Sequence, residues 1–153
     1  MVTFISHSPV ETENLGRKWA RTAESGLVLA LSGDLGAGKT RFVTGFAAGL
    51  GTTTRVQSAT FSLVNVYTGG RLPLFHVDLY RLQTHAEIMA AGLEEYFHPE
   101  GVCIVEWAER WFVPEIPNDP LTQAQQTKPK LRWVYFEALN ESTRRIQYED
   151  FGA

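Results

Sequence analysis

The chain has 153 residues, of which 44% are apolar and 20% charged, with a net charge of −3 and a pI of 5.8. That length suits a single domain, 1–153, built on one core, and the composition excludes a disordered, collagen-like or disulfide-stapled chain. The acidic balance argues against a basic surface that tracks phosphates, so tight nucleic-acid binding by this chain alone is not expected.

Val2 to Ile5 reads as a short first strand. Ser8-Pro9, followed by Glu11, Leu15, Trp19 and Ala23, predicts a helix with an acidic first turn. Met1 to Pro9 has neither the basic opening nor the long apolar run of a signal peptide, so secretion is not expected and the expected location is cytoplasmic. Leu27 to Leu31 is a continuous apolar run bounded by Gly26 and Gly33, the pattern of a strand covered on both faces in a parallel sheet. The stretch from Gly26 to Gly33 is the longest uncharged apolar run, far short of the roughly 20 residues that span a bilayer. Helical spacing follows from Lys39 to Leu50, with Phe42, Val43, Phe46 and Leu50 on one side and Gly51 as the stop.

Phe61 to Val66 and Leu72 to Val77 predict two strands in a hairpin-like pair, joined by Tyr67-Thr68-Gly69-Gly70-Arg71. A short helix around Ala86 to Ala91, closed by Gly92, precedes a doubly buried strand, Gly101 to Val105. That strand holds the sole cysteine, Cys103, read as a buried, inert thiol because no cation adjoins it. Residues 113 to 130 predict an exposed loop, because the stretch from Val113 to Pro129 has four prolines and a polar run with little to bury. Leu131 to Leu139 and Arg145 to Tyr148 flank the turn Asn140-Glu141-Ser142-Thr143 and predict an antiparallel hairpin at the sheet edge. The alternation of strands and helices gives an α/β fold with a largely parallel central sheet.

One motif has a demanding pattern. Gly33-Asp34-Leu35-Gly36-Ala37-Gly38-Lys39-Thr40 fits GxxxxGK[ST] between an apolar strand and a helix. The glycines let backbone N–H groups turn toward a phosphate chain, and the helix start adds its positive dipole end. Lys39 is a mobile point charge for the terminal phosphates, and the Thr40 hydroxyl is a candidate ligand for Mg²⁺. The NKxD-type signature that reads guanine is absent from the sequence, which favours ATP.

Hydrolysis also needs a carboxylate for the metal shell and a group that orients water. Such groups belong at the carboxyl ends of parallel strands beside the phosphate loop. Val102-Cys103-Ile104-Val105-Glu106 and Leu74-Phe75-His76-Val77-Asp78 are two apolar strands that end in acids. Spacing alone leaves open which acid serves the metal and which the water. His76 shares a strand face with Asp78, so it orients that acid or a water, or else is a satisfied structural histidine. His7, His85 and His98 form no Cys/His cluster for zinc. Arg81 forms an ion pair or stabilises transition-state charge, and Arg144-Arg145 is read as a solvated hairpin edge, with contact to RNA phosphate in an assembled complex as the alternative.

Four motifs taken together resemble the TsaE (YjeE) family: the loop Gly33 to Thr40, Ser58-Ala59-Thr60-Phe61-Ser62-Leu63-Val64-Asn65, His76-Val77-Asp78-Leu79-Tyr80-Arg81-Leu82, and Glu106-Trp107-Ala108-Glu109. The resemblance covers about residues 10 to 112, and the last two motifs are not generic features of phosphate-loop proteins. It implies a P-loop NTPase fold and an ATPase, with ATP and Mg²⁺ as cofactors. It further implies TsaD and TsaB homologues as partners. In that pair TsaD transfers a threonylcarbamoyl group to adenosine 37 of tRNA, and tRNA reaches this chain only through the complex.

Carried over by motif, the resemblance assigns the phosphates to Asp34, Leu35, Gly36, Ala37, Gly38 and Lys39. It assigns the metal to Thr40 and Glu106, and support of hydrolysis to Asp78. Thr60 lies in the segment equivalent to a switch loop and senses the γ-phosphate. Thr12 and the Asn140-Glu141 turn reach the nucleotide from two sides, and Trp107 resembles the family tryptophan beside the acid. Ala59 stands where the family usually has proline, and the stretch from Pro114 to Pro129 is longer than the family pattern. A small-molecule kinase and a nucleotide-sensing module without hydrolysis are the alternative functions.

Overall fold

The computed structural model describes residues 1–53, 63–112 and 130–151. The segments 54–62 and 113–129, with residues 152–153, lie outside the described residues, and with them Ala59, Thr60 and the expected exposed loop.

Strand β1 (Val2–Ser6) leads into helix α1 (Pro9–Thr22). Ser8 caps that helix, its hydroxyl accepting from Glu11 N at 3.1 Å, while Glu11 Oε2 accepts from His7 N at 2.6 Å. These bonds satisfy N–H groups that a helix start otherwise leaves unpaired. Strand β2 (Leu27–Ser32) is buried along nearly its whole length and feeds the phosphate loop, after which α2 (Lys39–Leu50) begins. Gly51, at φ 78°, ends α2 in the left-handed conformation that glycine adopts without steric cost.

Next come β3 (Val64–Tyr67), β4 (Leu74–Asp78), the short α3 (His85–Ala90), β5 (Val102–Glu106), β6 (Lys130–Ala138) and β7 (Arg144–Phe151). Single 3₁₀ turns at Glu94–Phe97 and Ala108–Arg110 flank β5. The seven strands form one sheet in the order β1-β7-β6-β2-β5-β4-β3. Its centre, β4, β5, β2 and β6, is parallel, and the pairs β3/β4, β6/β7 and β1/β7 are antiparallel. The α/β class, the parallel centre and the two hairpins match the sequence expectation. The first strand adds itself outside the C-terminal hairpin, so β1 rather than β7 is the last strand on that side.

Strand β4 begins two residues later than expected. Leu72 and Pro73 precede the ladder, and Pro73 contributes its carbonyl, which accepts from Val102 N at 2.9 Å. Proline has no N–H for a ladder bond, so it belongs at a strand entrance.

Each sheet face carries its own apolar layer. On one, Leu29, Leu31 and Ile104 pack against Leu15, Phe42, Val43 and Phe46 of α1 and α2. On the other, Val28, Ala30, Val77, Cys103 and Val105 pack against Leu79, Ile88, Leu93 and Phe97. Alternate residues of β2 therefore enter different layers, the period-two consequence of a strand buried on both faces. Helices α1 and α2 approach so closely that a Cβ on Gly45 would lie 1.8 Å from Glu13 O, and one on Gly16 would lie 2.3 Å from Phe42 O. Glycine is thus what permits the contact that fixes the start of α2, and with it the phosphate loop.

Candidate active site

The loop between β2 and α2 forms the floor of the site. Gly33, Gly36 and Gly38 all have positive φ, and Gly38, at φ 102°, is the residue from which α2 starts. A pocket of about 360 Å³ opens above it, lined by Gly36, Gly38, Lys39, Thr40, Asp78, Glu106, Trp107, Thr12, Glu141 and Arg144 among others. That volume falls in the range of small-molecule sites.

Lys39 is buried, and its Nζ donates to Gly33 O at 2.5 Å while lying 4.3 Å from the centre of the Trp107 ring. Burial pushes its pKa below the usual lysine value, against the opposing pull of Glu106, Asp78, Glu109 and Asp34. The ammonium is thereby held by weak, neutral partners beside the space that a phosphate would fill. Thr40 follows on the first turn of α2, exposed at the pocket floor.

The two acids come from neighbouring strand ends. Strands β4 and β5 run parallel with Asp78 directly opposite Glu106, so both carboxylates leave the sheet at the same level, beside the loop. Both are buried. Asp78 Oδ1 accepts from Tyr80 N at 2.9 Å, which turns the chain immediately after the strand. Glu106 Oε2 lies 2.6 Å from Nε2 of the fully buried His76. A carboxylate oxygen accepts, so Nε2–H is the donor of this contact, and Nδ1 has no partner among the described residues. His76 thus reaches across to the acid of β5 and not to Asp78, its neighbour on β4.

Trp107 follows Glu106 with φ 57°, a left-handed backbone that costs an aromatic residue on the order of 1–3 kcal/mol. The turn sends its ring under Lys39, where Tyr80 packs on it at 5.2 Å between ring centres. Arg110 lies 5.3 Å from the Trp107 ring and donates to the carbonyls of Leu79, Tyr80 and Leu82. One cation therefore ties the segment after Asp78 to the segment after Glu106.

The other wall comes from the far side of β2. Thr12, buried on α1, bonds Ser6 at 2.7 Å between hydroxyl oxygens and faces the loop near Gly38. Glu141 lies on the β6–β7 turn at the pocket mouth. Leu35 lines this pocket as well as a second hollow bounded by β6, whereas Asp34 and Ala37 line the second and not the first. Thr60 lies outside the described residues. Arg144, which the sequence led us to read as a solvated edge residue, instead reaches the loop, its Nη2 donating to Gly36 O at 3.1 Å. Its only sequence signal was a cation opening a strand after a turn, and nothing local says that this strand end faces the phosphate loop.

The oxygen donors suit a hard divalent cation. Thr40 and Glu106 line the pocket with Asp78, and no cluster of three or more His, Cys, Asp or Glu side chains that could hold a metal occurs among the described residues. Mg²⁺ is usually held in this way, by one or two protein oxygens completed by substrate phosphates and water.

A family model described as "Threonylcarbamoyl adenosine biosynthesis protein TsaE" matches residues 6–134. The chain belongs to the TsaE family. It is similar to the "tRNA threonylcarbamoyladenosine biosynthesis protein TsaE" of Bacillus subtilis, with 52% identity over 66% of this chain and 63% of the relative. The protein of the same name from Treponema pallidum is 42% identical over 77% of this chain and 86% of its own length. The Nostoc protein of that name is 46% identical over 65% of this chain, and the match there, as in Bacillus subtilis, spans 63% of the relative. Among solved structures, that of Bacillus subtilis YdiB superposes with a TM-score of 0.73 at 35% identity, covering 99% of this chain and 86% of the other. The TsaE resemblance read from the four motifs is thereby established at the level of family and fold.

Proposed function

We propose that this TsaE-family chain is a magnesium-dependent ATPase that supports threonylcarbamoyladenosine formation on tRNA, acting with TsaB and TsaD homologues in the cytoplasm. The observation that carries the ATPase reading is the pairing of Asp78 with Glu106 at adjacent strand ends, beside the loop that bears Lys39 and Thr40. A binding-only module needs the loop but has no use for two buried acids aimed at its terminal-phosphate side.

In this reading the loop N–H groups and Lys39 hold the β- and γ-phosphates, and Lys39 leaves Gly33 O and Trp107 to do so. Thr40 and Glu106 hold the metal, which when bound neutralises charge on the phosphates. Asp78 orients the attacking water, its own position fixed by Tyr80 N. Thr12 and Glu141, which line the pocket, contact the nucleotide from two sides. The pathway assignment rests on the family description and on the names of the relatives.

Calorimetric titration with ATP and GTP, with and without Mg²⁺, tests the nucleotide assignment. Preference for ATP, lost in Lys39→Ala, supports it. Equal or absent binding of both nucleotides contradicts it.

A further inference from the structure

Arg144 opens β7 immediately after the hairpin turn, and its guanidinium is held by three oxygens. Nη1 donates to Asn140 O at 2.6 Å and to Thr143 O at 3.1 Å, and Nη2 donates to Gly36 O at 3.1 Å. All three are neutral carbonyls, and no carboxylate among the described residues pairs with it. Arg145 pairs with Glu137, Arg132 with Asp150 and Arg41 with Glu13, and although Arg71 and Arg110 are also held by main-chain carbonyls, neither lines the pocket.

A guanidinium carries five N–H donors in a rigid fork. Three bonds leave Nε–H and one Nη2–H uncommitted, with the full charge unneutralised. The side chain lines the pocket, and its Cγ and Nε lie 3.7 and 4.0 Å from where a Cβ on Gly38 would stand. The hairpin that carries it pairs with β2 through β6, on the side of β2 away from β5 and β4. The acids and this arginine therefore flank the phosphate loop from opposite sides. Orientation by neutral oxygens keeps the charge available for a ligand, and the ligand chemistry that fits a forked cation beside a phosphate loop is a phosphate oxygen.

We propose that Arg144 is a phosphate ligand supplied in cis by the β6–β7 hairpin, bonding the polyphosphate of the nucleotide opposite Asp78 and Glu106. The inference rests on the nucleotide-binding reading above. Its consequence is that the bond to Gly36 O fixes the hairpin against the loop, so that Arg144 meets the phosphates without waiting for a partner protein to deliver a cation.

The test compares the unaltered chain with Arg144→Lys and Arg144→Gln by calorimetric titration with ATP and, separately, with inorganic tripolyphosphate. Thermal melting of each variant checks that it folds. Lysine keeps the charge, whereas glutamine keeps an amide donor for a latch to the carbonyls but no charge. The expected result is an affinity loss of about tenfold in Arg144→Gln for both ligands, with Arg144→Lys in between. Glutamine equal to arginine for both ligands overturns the proposal, since the side chain then only latches the hairpin. A loss for ATP without a loss for tripolyphosphate also overturns it, because the contact is then to the nucleoside. An unaltered chain that binds neither ligand removes the nucleotide reading itself, an outcome distinct from the other two.

Discussion

His76 Nε2 and Glu106 Oε2 lie 2.6 Å apart in the buried seam between β4 and β5. The histidine is closed to solvent and cannot touch a nucleotide, so its influence on the site passes through the carboxylate. Donation to one oxygen of Glu106 fixes the carboxylate plane and, in the proposed reading, leaves the other oxygen for the metal. Groups that orient a metal ligand in this way typically contribute about 10–100-fold to metal affinity or activity. His76→Ala is expected to weaken magnesium-supported nucleotide binding by about that factor, while His76→Gln, which keeps a donor at a similar reach, recovers part of it. Titration of Mg²⁺ at fixed nucleotide measures this. A melting temperature that falls with unchanged magnesium dependence would show that the histidine serves packing alone.

Helix α2 is held in place by glycine contacts, and these set a second expectation. Gly45→Ala puts a methyl group 1.8 Å from Glu13 O, a backbone atom that cannot swing aside. Overpacking of this kind costs about 1–3 kcal/mol or more. Thermal denaturation should show a clear fall in melting temperature. Gly36→Ala provides the contrast, because a Cβ there meets nothing within 4 Å and its difficulty is the backbone at φ 78°.

The sheet surface away from the site supplies a pH test. Arg132 Nε donates to Asp150 Oδ1 at 2.6 Å, and this hydrogen bond, with the guanidinium charge, lowers the Asp150 pKa below its usual range. A carboxylate lowered on folding contributes stability above its unfolded pKa and loses it as pH falls through the folded one. Asp150→Asn is therefore expected to melt at a slightly lower temperature than the unaltered chain at neutral pH, with the gap closing as pH falls through and below the usual carboxylate range. Because the pair is half exposed, salt should shrink the gap. A gap that persists in acid would contradict the assignment.

How far the site was legible from the chain depends on how local each signal is. The phosphate loop reads directly, since its glycines, Lys39 and Thr40 are contiguous and lie between a strand and a helix in the structure as expected. Asp78 and Glu106 were legible as strand-ending acids, but their direct opposition follows from the β4–β5 register, which no local pattern encodes. Because residues two apart share a strand face, the sequence sets His76 beside Asp78 or leaves it a satisfied structural histidine, without saying what satisfies it. Its partner proved to be on the adjacent strand, 30 positions away in sequence.

Arg144 was hidden for a related reason. Its role depends on β6 pairing with β2 on the side opposite β5, a placement 108 residues removed from Gly36 in sequence. The left-handed backbone of Trp107 had no sequence signal either, because a tryptophan at positive φ contradicts its own preference and is held there by tertiary contacts.

The most direct test of the central claim is ATP hydrolysis by the chain alone and with TsaB and TsaD homologues, in the unaltered form and in Lys39→Ala and Glu106→Ala. We expect hydrolysis that rises when the partners are added, falls by about 10²-fold or more in both variants, and accompanies threonylcarbamoyladenosine formation on tRNA. Hydrolysis indifferent to the partners, or tRNA modification undiminished by either substitution, would contradict the account.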